Sequence, residues 1–225
     1  MKLHALPNKM VLRFKGRACE FLNAYATNVV TASRSAFVNL KGQIVCTFDQ
    51  MVISAEKMMV VIESAYVDRL KKHLEKYLPL YGTVIETAAE YRLYFDLDDA
   101  REPQRGEIFV PQKKGKLIGV TAELEAGVSE EEFRWFRVQQ ALPVQGVDYD
   151  EEMLLNVGDE EFISTTKGCY LGQEIIARVH HRGKPPKKLV VRSEEDCTDE
   201  EKARLTSKVR DPQTGRILGF LFIDN

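Results

Sequence analysis

The stretch that decides the fold reads AFVNLKGQIVCTF at residues 36–48. Two apolar runs flank the dipeptide Lys41-Gly42, a compact turn signal, so the stretch predicts a β-hairpin with strands over Ala36 to Leu40 and Gln43 to Phe48. A third run, Lys57 to Glu63, is rich in β-branched residues and methionine, and it predicts another strand. Three consecutive strands joined by short turns predict an antiparallel sheet.

The segments on either side add helices to that sheet. Upstream, Met10 to Phe14 alternates as a strand does, and Ala18 to Ala26 places apolar residues at helical spacing. Downstream, Tyr66 to Leu78 has one apolar face and one lysine-rich face, the pattern of a helix that lies on a sheet. Further strands are predicted at Thr83 to Thr87 and at Tyr91 to Leu97. This order predicts the α+β class, with helices laid on an antiparallel sheet.

The second half of the chain repeats the mixture of strands and helices. Ser129-Glu130-Glu131-Glu132 is a capping box, and it opens a helix that is predicted to run to about Leu142. Near the end, turn residues around Asp211 to Gly215 separate two apolar runs, which predicts a hairpin. The remaining predicted strands are Glu107–Val110, Lys116–Ala122, Leu189–Arg192, Leu205–Val209 and Ile217–Ile223.

Composition narrows the class of protein. The 225 residues are enough for a substantial core, and the net charge of -2 argues against nucleic-acid binding driven by overall charge. No apolar run reaches membrane-spanning length. Met1 to Pro7 lacks the apolar region of a secretory signal and the look of a transit peptide. The four cysteines lie far apart, which argues against a disulfide framework or a zinc ribbon. A reducing cytoplasm is the expected location.

The stretch KGCYLGQE at residues 167–174 carries the most chemistry. A helix is predicted from near Gly172 to about Arg182, with Gly183 ending it. Cys169 then stands just before the helix N-terminus, where free N–H groups stabilise an anion such as a thiolate. Lys167 adds positive charge nearby. We predict that Cys169 is reactive; the alternative is a structural cysteine in a turn.

The histidines downstream of the cysteine are not its partners. A helical rise of about 1.5 Å per residue puts His180 roughly 12 Å along the helix from Gly172. A Cys–His pair or a metal site built from Cys169, His180 and His181 alone is therefore excluded, and no metal is expected. A histidine from elsewhere, His4 or His73, can approach only through the tertiary fold. The basic residues around these histidines predict an anion-binding rim, with a solvated turn as the alternative: Arg178, Arg182, Lys184, Lys187 and Lys188.

Acidic residues crowd the segment 146–166. Paired carboxylates suggest a metal or general-acid site, but their spacing shows no repeat typical of ligands. A solvated loop is therefore the favoured interpretation. The acidic residues concerned are Asp148, Asp150, Glu151, Glu152, Asp159, Glu160 and Glu161.

The octapeptide resembles the signature of the YgfZ-type folate-binding proteins, relatives of the glycine-cleavage T-protein (aminomethyltransferase). Ala177-Arg178 and Arg182-Gly183 fit as well, and weaker matches cover most of the chain. The resemblance implies a cloverleaf of two ferredoxin-like α+β units and a small, shortened C-terminal β domain around a central folate channel. On this chain the implied parts are a discontinuous domain over residues 1–29 and 115–188, a second α+β domain over 30–114, and a reduced β-barrel-like domain over 189–225.

The resemblance also implies a function. Proteins of this type bind tetrahydrofolate or a related reduced folate and assist the assembly or repair of iron–sulfur clusters, including those of radical-SAM enzymes that modify tRNA. The implied partners are iron–sulfur client enzymes or cluster-assembly proteins, and the implied role is an accessory factor more than an enzyme. Cys169 is the implied functional residue. The residues expected to contact the folate are Lys167, Tyr170, Gln173, Glu174, Arg178, Arg137 and Gln139.

The sequence differs from the T-protein pattern at two places, and these differences bear on the alternative functions. The T-protein strand after the Lys41-Gly42 equivalent carries adjacent aspartates, one of them catalytic, whereas this chain has Cys46-Thr47 there and Asp49 two residues later. Gln139 replaces the glutamate that binds the pterin, and an amide cannot supply a carboxylate. A folate-dependent one-carbon transferase is thus the first alternative and is disfavoured. The second is a non-catalytic module that docks a protein or RNA through the basic rim.

Overall fold

A computed structural model describes residues 1–158, 161–181 and 183–225. Over those residues the chain forms three antiparallel sheets with helices packed between and upon them. The strands are β1 (Leu3–Ala5), β2 (Lys9–Lys15), β3 (Arg34–Val38), β4 (Ile44–Ser54), β5 (Lys57–Glu63), β6 (Val84–Thr87), β7 (Arg92–Asp96), β8 (Ile108–Pro111), β9 (Lys116–Val120), β10 (Lys187–Ser193), β11 (Thr206–Arg210) and β12 (Ile217–Asp224). The helices are α1 (Ala18–Tyr25), α2 (Val67–Leu74), α3 (Glu130–Gln139), α4 (Leu154–Val157), α5 (Gln173–His181) and α6 (Asp199–Arg204).

The first sheet has the strand order β3-β4-β5-β2-β6. The predicted hairpin is confirmed: β3 and β4 pair antiparallel, with Phe37 opposite Cys46. Helices α1 and α2 cover one face and bury Phe21 and Leu70 against Phe14 and its neighbours. Without the edge strand β3, the chain order β2-α1-β4-β5-α2-β6 is the ferredoxin-like βαββαβ arrangement. The predicted α+β class is confirmed.

The second sheet has the order β1-β7-β9-β8, and the third has the order β10-β12-β11. Helix α3 lies beside the second sheet, and the Phe133 ring packs against Phe95 of β7. Its predicted capping box is confirmed, because the Ser129 hydroxyl accepts from the Glu132 N–H and the Glu132 carboxylate accepts from the Ser129 N–H. The helix ends earlier than predicted because Ala141 adopts a left-handed φ of 52°, which closes the last turn.

Both large sheets draw strands from each side of the predicted domain boundaries. Strand β2 pairs with β5 across the boundary between residues 29 and 30. Strand β7 pairs with β9 across the boundary between residues 114 and 115. The sheets therefore group residues 9–87 together and join β1 to the segment from β7 to β9. The division into 1–29 with 115–188, 30–114 and 189–225 stays a prediction.

The remaining differences from the sequence concern short elements. The predicted helix from Tyr66 to Leu78 is an α-helix only to Leu74, and a separate 3-10 turn spans Leu78–Tyr81. Strand β1 and helices α4 and α6 were not predicted, since three to six residues give too little periodicity. The third sheet confirms the predicted C-terminal strands. Asp159 and Glu160 of the acidic segment lie outside the described residues, as does Arg182, which the predictions of the basic rim and the helix end and the family resemblance include.

Candidate functional site

The octapeptide forms a turn that packs onto the β3–β4 hairpin. Gly172 adopts a φ of 82°, and a Cβ placed on it would lie 2.4 Å from the carbonyl oxygen of Asn39. Only glycine fits both the left-handed backbone and this close approach. Helix α5 begins at the next residue and packs Ile176 into a core shared with Val38 and Ile44. The fold-deciding hairpin thus positions the cysteine loop.

Lys167 fastens this loop to the end of α1. Its Nζ donates to the carbonyl oxygens of Ala26 at 2.6 Å and Asn28 at 2.9 Å, and it lies 5.3 Å from the centre of the Tyr170 ring. Burial lowers the pKa of Lys167 to about 8, while the two carbonyls and the ring act in the opposite direction. The ammonium is therefore occupied by backbone acceptors. Its expected role as a free charge beside the thiol or a folate carboxylate stays a prediction.

Cys169 is exposed and stands four residues before the first residue of α5. Gln173 is the first residue of that helix and is half-buried, and Glu174 pairs with Arg178 at 2.8 Å as predicted. Tyr170 is buried, which raises the pKa of its phenol to about 12. The loop thus presents one accessible thiol above a buried ring, and the reactivity of that thiol stays a prediction.

The four histidines lie in three different elements, β1, α2 and α5. His180 and His181 are exposed at the end of α5, with ring centres 5.9 Å apart. His4 stacks on Phe133 at 4.1 Å, and His73 lies beside Tyr77 in the turn after α2. Within the described residues, no group of His, Cys, Asp and Glu side chains could hold a metal ion. Lys184, Lys187 and Lys188 are exposed, so the described part of the predicted basic rim faces solvent.

The other cysteines are structural. Cys46 is buried in the first sheet, and burial raises the pKa of its thiol to about 12. Cys19 donates to the carbonyl of Ser54 at 3.4 Å, and burial raises the pKa of its thiol too. Cys197 is buried and donates to the carbonyl of Ser193. The prediction that Cys19 packs beside an apolar stripe is confirmed. All four thiols are free, and Cys169 is the exposed one.

A cavity of about 170 Å³, which we call the central cavity, lies where the first sheet, the second sheet and α3 meet. One wall is apolar and aromatic, and it includes Phe95, Phe133 and Leu142. The opposite wall consists of charged side chains from the first sheet, namely Lys9, Arg34, Asp49 and Glu63. A smaller pocket shares these four residues and extends to Thr47 and Tyr149. An apolar wall facing a few convergent polar groups is typical of a small-molecule site.

The charged wall is a connected network. Lys9 Nζ lies 2.9 Å from a Glu63 oxygen and 3.5 Å from an Asp49 oxygen. Arg34 lies 3.3 Å from Asp49 and also pairs with Glu161. Burial lowers the pKa of Lys9, but Asp49 and Glu63 outweigh it, and the net shift is upward. Within the wall itself the two cations, Lys9 and Arg34, balance the two carboxylates, Asp49 and Glu63, because Glu161 does not line the cavity.

Arg137 lines the cavity from α3 but is already engaged. Its guanidinium donates to Asp148 at 3.0 Å, to the Leu142 carbonyl and to the Ser207 hydroxyl. Asp148 also accepts from the hydroxyls of Thr206 and Ser207, so this ion pair fastens the third sheet to α3. The acidic segment is therefore not solvated throughout, and that interpretation was wrong for Asp148, which is buried. The hydroxyl donors to Asp148, Thr206 and Ser207, lie 58 and 59 residues further along the chain, so sequence spacing could not reveal them.

The expected folate contacts do not converge on one place. Gln139 is exposed at the end of α3 and is not among the described residues that line the cavity, nor is any residue of the octapeptide. Asn28 connects the two regions: its carbonyl accepts from Lys167, and its amide donates to the carbonyls of Arg34 and Glu161. The cysteine loop and the cavity thus lie on opposite sides of one buried asparagine.

Sequence reasoning missed Lys9, Arg34 and Glu63, and it used Asp49 only to note its offset. The available signal was Asp49 itself, an acidic residue inside an apolar strand run. Residues two apart in a strand share a face, so Asp49 lies on the same side of β4 as Thr47. Thr47 and Asp49 both line the smaller pocket. The side chain of Asp49, two residues after Thr47, therefore points to the same face of β4, whereas a residue one position away would point to the opposite face.

Comparisons with known proteins place this geometry in context. No protein-family model matches the chain. The chain is 24% identical over 190 residues to the mouse protein named "Iron-sulfur cluster assembly factor IBA57, mitochondrial", a match that covers 70% of this chain and 52% of that protein. The chain thus spans about half the length of the curated relative it matches. Among solved structures, glycine cleavage system aminomethyltransferase T from Bartonella henselae superposes with a TM-score of 0.72 at 14% identity, covering 99% of this chain and 78% of that one.

These likenesses confirm the fold and agree with the resemblance seen in the octapeptide. The chain has the α+β fold of the aminomethyltransferase T protein, and its sequence is similar to that of the mouse assembly factor. Across the described residues, no helix is both long and apolar enough to cross a membrane, in keeping with the hydropathy of the sequence.

Proposed function

We propose that this protein binds a reduced folate in the central cavity and assists the assembly or repair of iron–sulfur clusters, with Cys169 as its working thiol. Its clients are proposed to include radical-SAM enzymes that modify tRNA, and its location to be the cytoplasm. The single observation that carries the proposal is the cavity in which an aromatic wall faces a buried charged network. The kinship to an assembly factor supports the second half.

The residues of the cavity fit a reduced pterin. A pterin is a flat ring whose amino and N–H groups are hydrogen-bond donors along one edge. Phe95, Phe133 and Leu142 offer the ring an apolar surface. Asp49 is 5% exposed and lines the cavity, so its carboxylate offers acceptor oxygens to a ligand that presents N–H donors. The folate would supply or accept a one-carbon unit, and these residues would bind and orient it.

Calorimetry with tetrahydrofolate tests the cavity. We expect Asp49→Asn to weaken binding by about tenfold or more, since a charge-assisted hydrogen bond becomes a neutral one. Glu200→Gln is the matched control, because Glu200 is exposed on α6 and does not line the cavity. Circular dichroism establishes that both variants are folded. A wild-type protein that binds no tetrahydrofolate would refute the folate half of the proposal.

Complementation tests the thiol. A strain that lacks this gene is expected to lose iron–sulfur enzyme activity, including radical-SAM tRNA modification, and wild-type protein is expected to restore it. Cys169→Ala is expected not to restore it. Cys19→Ala is the matched control, since Cys19 is partly accessible but bonded to the Ser54 carbonyl. Full rescue by Cys169→Ala would contradict the role proposed for this thiol.

The position of Asp49 favours a second candidate, a folate-dependent one-carbon transferase. A carboxylate buried beside an aromatic wall is where a catalytic acid or base of such an enzyme would lie. Against it, the Asp49 carboxylate is already paired with Lys9, Arg34 and the Gln112 amide, donors that a proton-accepting role would have to displace. An aminomethyl-transfer assay decides between the two, and turnover that Asp49→Asn abolishes would favour the transferase.

A further inference from the structure

Three tyrosines cluster on the outer side of the first sheet, away from the cavity. Tyr25 ends α1, Tyr77 follows α2, and Tyr81 closes the 3-10 turn Leu78–Tyr81. The ring centre of Tyr25 lies 4.6 Å from that of Tyr77 and 5.9 Å from that of Tyr81. All three side chains are half-buried. We call these residues, with Arg17, Lys76 and Leu80, the tyrosine patch.

The hydroxyls of this patch differ from those of tyrosines elsewhere. Tyr66 donates to Asp150 at 3.0 Å, and the Tyr149 hydroxyl lies 2.8 Å from that of Thr47. Within the described part of the chain, the hydroxyls of Tyr25, Tyr77 and Tyr81 make no hydrogen bond to protein. Burial raises the pKa of the Tyr25 phenol, and the neighbouring phenols of Tyr81 and Tyr77 add to that shift. Hydroxyls that have no protein acceptor can donate to a ligand that carries acceptor oxygens.

Cations flank the same rings. The guanidinium of Arg17 lies 5.1 Å from the centre of the Tyr81 ring, and Lys76 Nζ lies 4.8 Å from that of Tyr77. Arg17 also donates to the Leu80 and Tyr81 carbonyls and pairs with exposed Glu20 at 3.3 Å. Lys76 forms no ion pair with any described carboxylate. The cationic side of the patch is therefore suited to an acidic group on a ligand.

One exposed apolar side chain completes the patch: Leu80 is 64% exposed and directly precedes Tyr81. Strand β6 is an edge of the first sheet and pairs only with β2 among the described strands. An open strand edge beside an exposed apolar side chain is a surface to which another chain can dock.

We propose that the tyrosine patch docks an acidic, apolar segment of a partner protein. Acidic side chains of the partner accept hydrogen bonds from the tyrosine hydroxyls and pair with Lys76, while an apolar side chain of the partner covers Leu80. Tyrosine and arginine at the centre of an exposed patch are the residues that dominate protein interfaces. A nucleic acid fits less well, because the tyrosine rings pack against one another and leave their edges, not their faces, to a stacking base.

The patch lies beside the cysteine loop. Tyr25 immediately precedes Ala26, whose carbonyl accepts from Lys167, the first residue of the octapeptide. A partner seated on the tyrosine patch therefore lies next to the loop that presents Cys169. The docking proposal does not depend on folate binding, since none of the described residues lining the central cavity belongs to the patch.

Fluorescence anisotropy with labelled short probes tests the proposal on the full chain at low salt. The probes are a peptide of alternating Glu and Leu, a matched peptide of alternating Lys and Leu, and single-stranded oligouridylate. We expect the Glu-Leu peptide to bind at least about tenfold more tightly than either of the others. Lys76→Glu is expected to weaken its binding by about tenfold, and Tyr25→Phe, which keeps the ring and removes one donor, by about threefold. Lys114→Glu, in the turn between β8 and β9, is the matched charge control and is expected to bind as wild type.

Each outcome decides the proposal. Absence of Glu-Leu peptide binding, equal binding by Lys76→Glu, or equal binding by Tyr25→Phe would overturn it. Preferential binding of oligouridylate that Lys76→Glu abolishes would assign the surface to nucleic acid and also overturn it. Tetrahydrofolate calorimetry on Lys76→Glu keeps the two proposals separate, because that variant is expected to retain the folate affinity of wild type.

Discussion

The cysteine loop and the central cavity are both polar, but their charged groups have different partners. In the cavity, Lys9, Arg34 and Asp49 are each paired with an opposite charge inside one network. In the loop, Lys167 is tied to backbone carbonyls, and Cys169 is left exposed with no charged partner among the described residues. The cavity resembles a preorganised binding site, whereas the loop holds one accessible atom, the Cys169 sulfur, at the surface.

This difference predicts how each region tolerates substitution. A buried network is sensitive to the loss of any member, because the remaining charges are left uncompensated in a place of low polarity. An exposed side chain at the tip of a turn contributes little to stability, whatever its chemistry. Stability measurements therefore separate the two regions before any ligand is known.

The largest effect is expected for Asp49→Ala. Removing this carboxylate leaves Lys9 and Arg34 each with one fewer partner, and we expect the free energy of unfolding to fall by about 3 kcal/mol. Cys169→Ser is expected to change it by less than about 0.5 kcal/mol. Urea denaturation followed by circular dichroism measures both. Equal effects in the two variants would remove the contrast between the regions.

The contrast also explains what the sequence could predict. The octapeptide is local and unusual, so eight consecutive residues were enough to indicate Cys169, the glycine at Gly172 and the helix that follows. The hairpin around Lys41-Gly42 was predicted for the same reason, since its strands and turn are adjacent in the chain. Local patterns and recognisable motifs thus gave the α+β class and one of the two candidate sites.

The cavity could not be predicted because its members are common residues from separate strands. Lys9, Arg34, Asp49 and Glu63 come from β2, β3, β4 and β5, and their meeting depends on sheet order and register. Alternation within a strand indicates which residues share a face but not which strand lies beside it. The same limit hid the pairing of Arg137 with Asp148, which joins α3 to a loop that looked solvated.

A smaller loss of stability is expected for Lys167→Met. This variant tests whether Lys167 holds the loop against the end of α1. The variant loses two hydrogen bonds to the Ala26 and Asn28 carbonyls, and we expect the free energy of unfolding to fall by about 2 kcal/mol near neutral pH. Limited proteolysis of residues 161–172 is expected to quicken as the loop detaches from α1. Wild-type stability in this variant would show that the loop is held by Gly172 and α5 alone.

The pH dependence of that difference tests the state of the ammonium. The pKa of Lys167 is lowered from 10.5 to about 8 in the folded protein by burial. Between these values the unfolded chain binds a proton that the folded protein has released, so the contribution of this group to stability rises with pH. The stability of wild type relative to Lys167→Met is therefore expected to increase from about pH 8 to pH 10.5. A difference that stays flat from pH 8 to 10.5, and falls only above pH 10.5, would mean that the two carbonyls hold the lysine charged.

The smallest effect is expected for the ion pair on the exposed face of α5. Glu174 and Arg178 are 2.8 Å apart, but their side chains are 83% and 53% exposed, so solvent and salt screen the attraction. Removing the pair with Glu174→Gln is expected to lower the free energy of unfolding by about 0.3–0.5 kcal/mol at low salt. Urea denaturation at low and at high salt measures it, with the difference vanishing at high salt. A loss of unfolding free energy as large as that of Lys167→Met would show that Glu174 also holds the loop in place. The whole octapeptide would then contribute to stability, and not only Lys167 and Gly172.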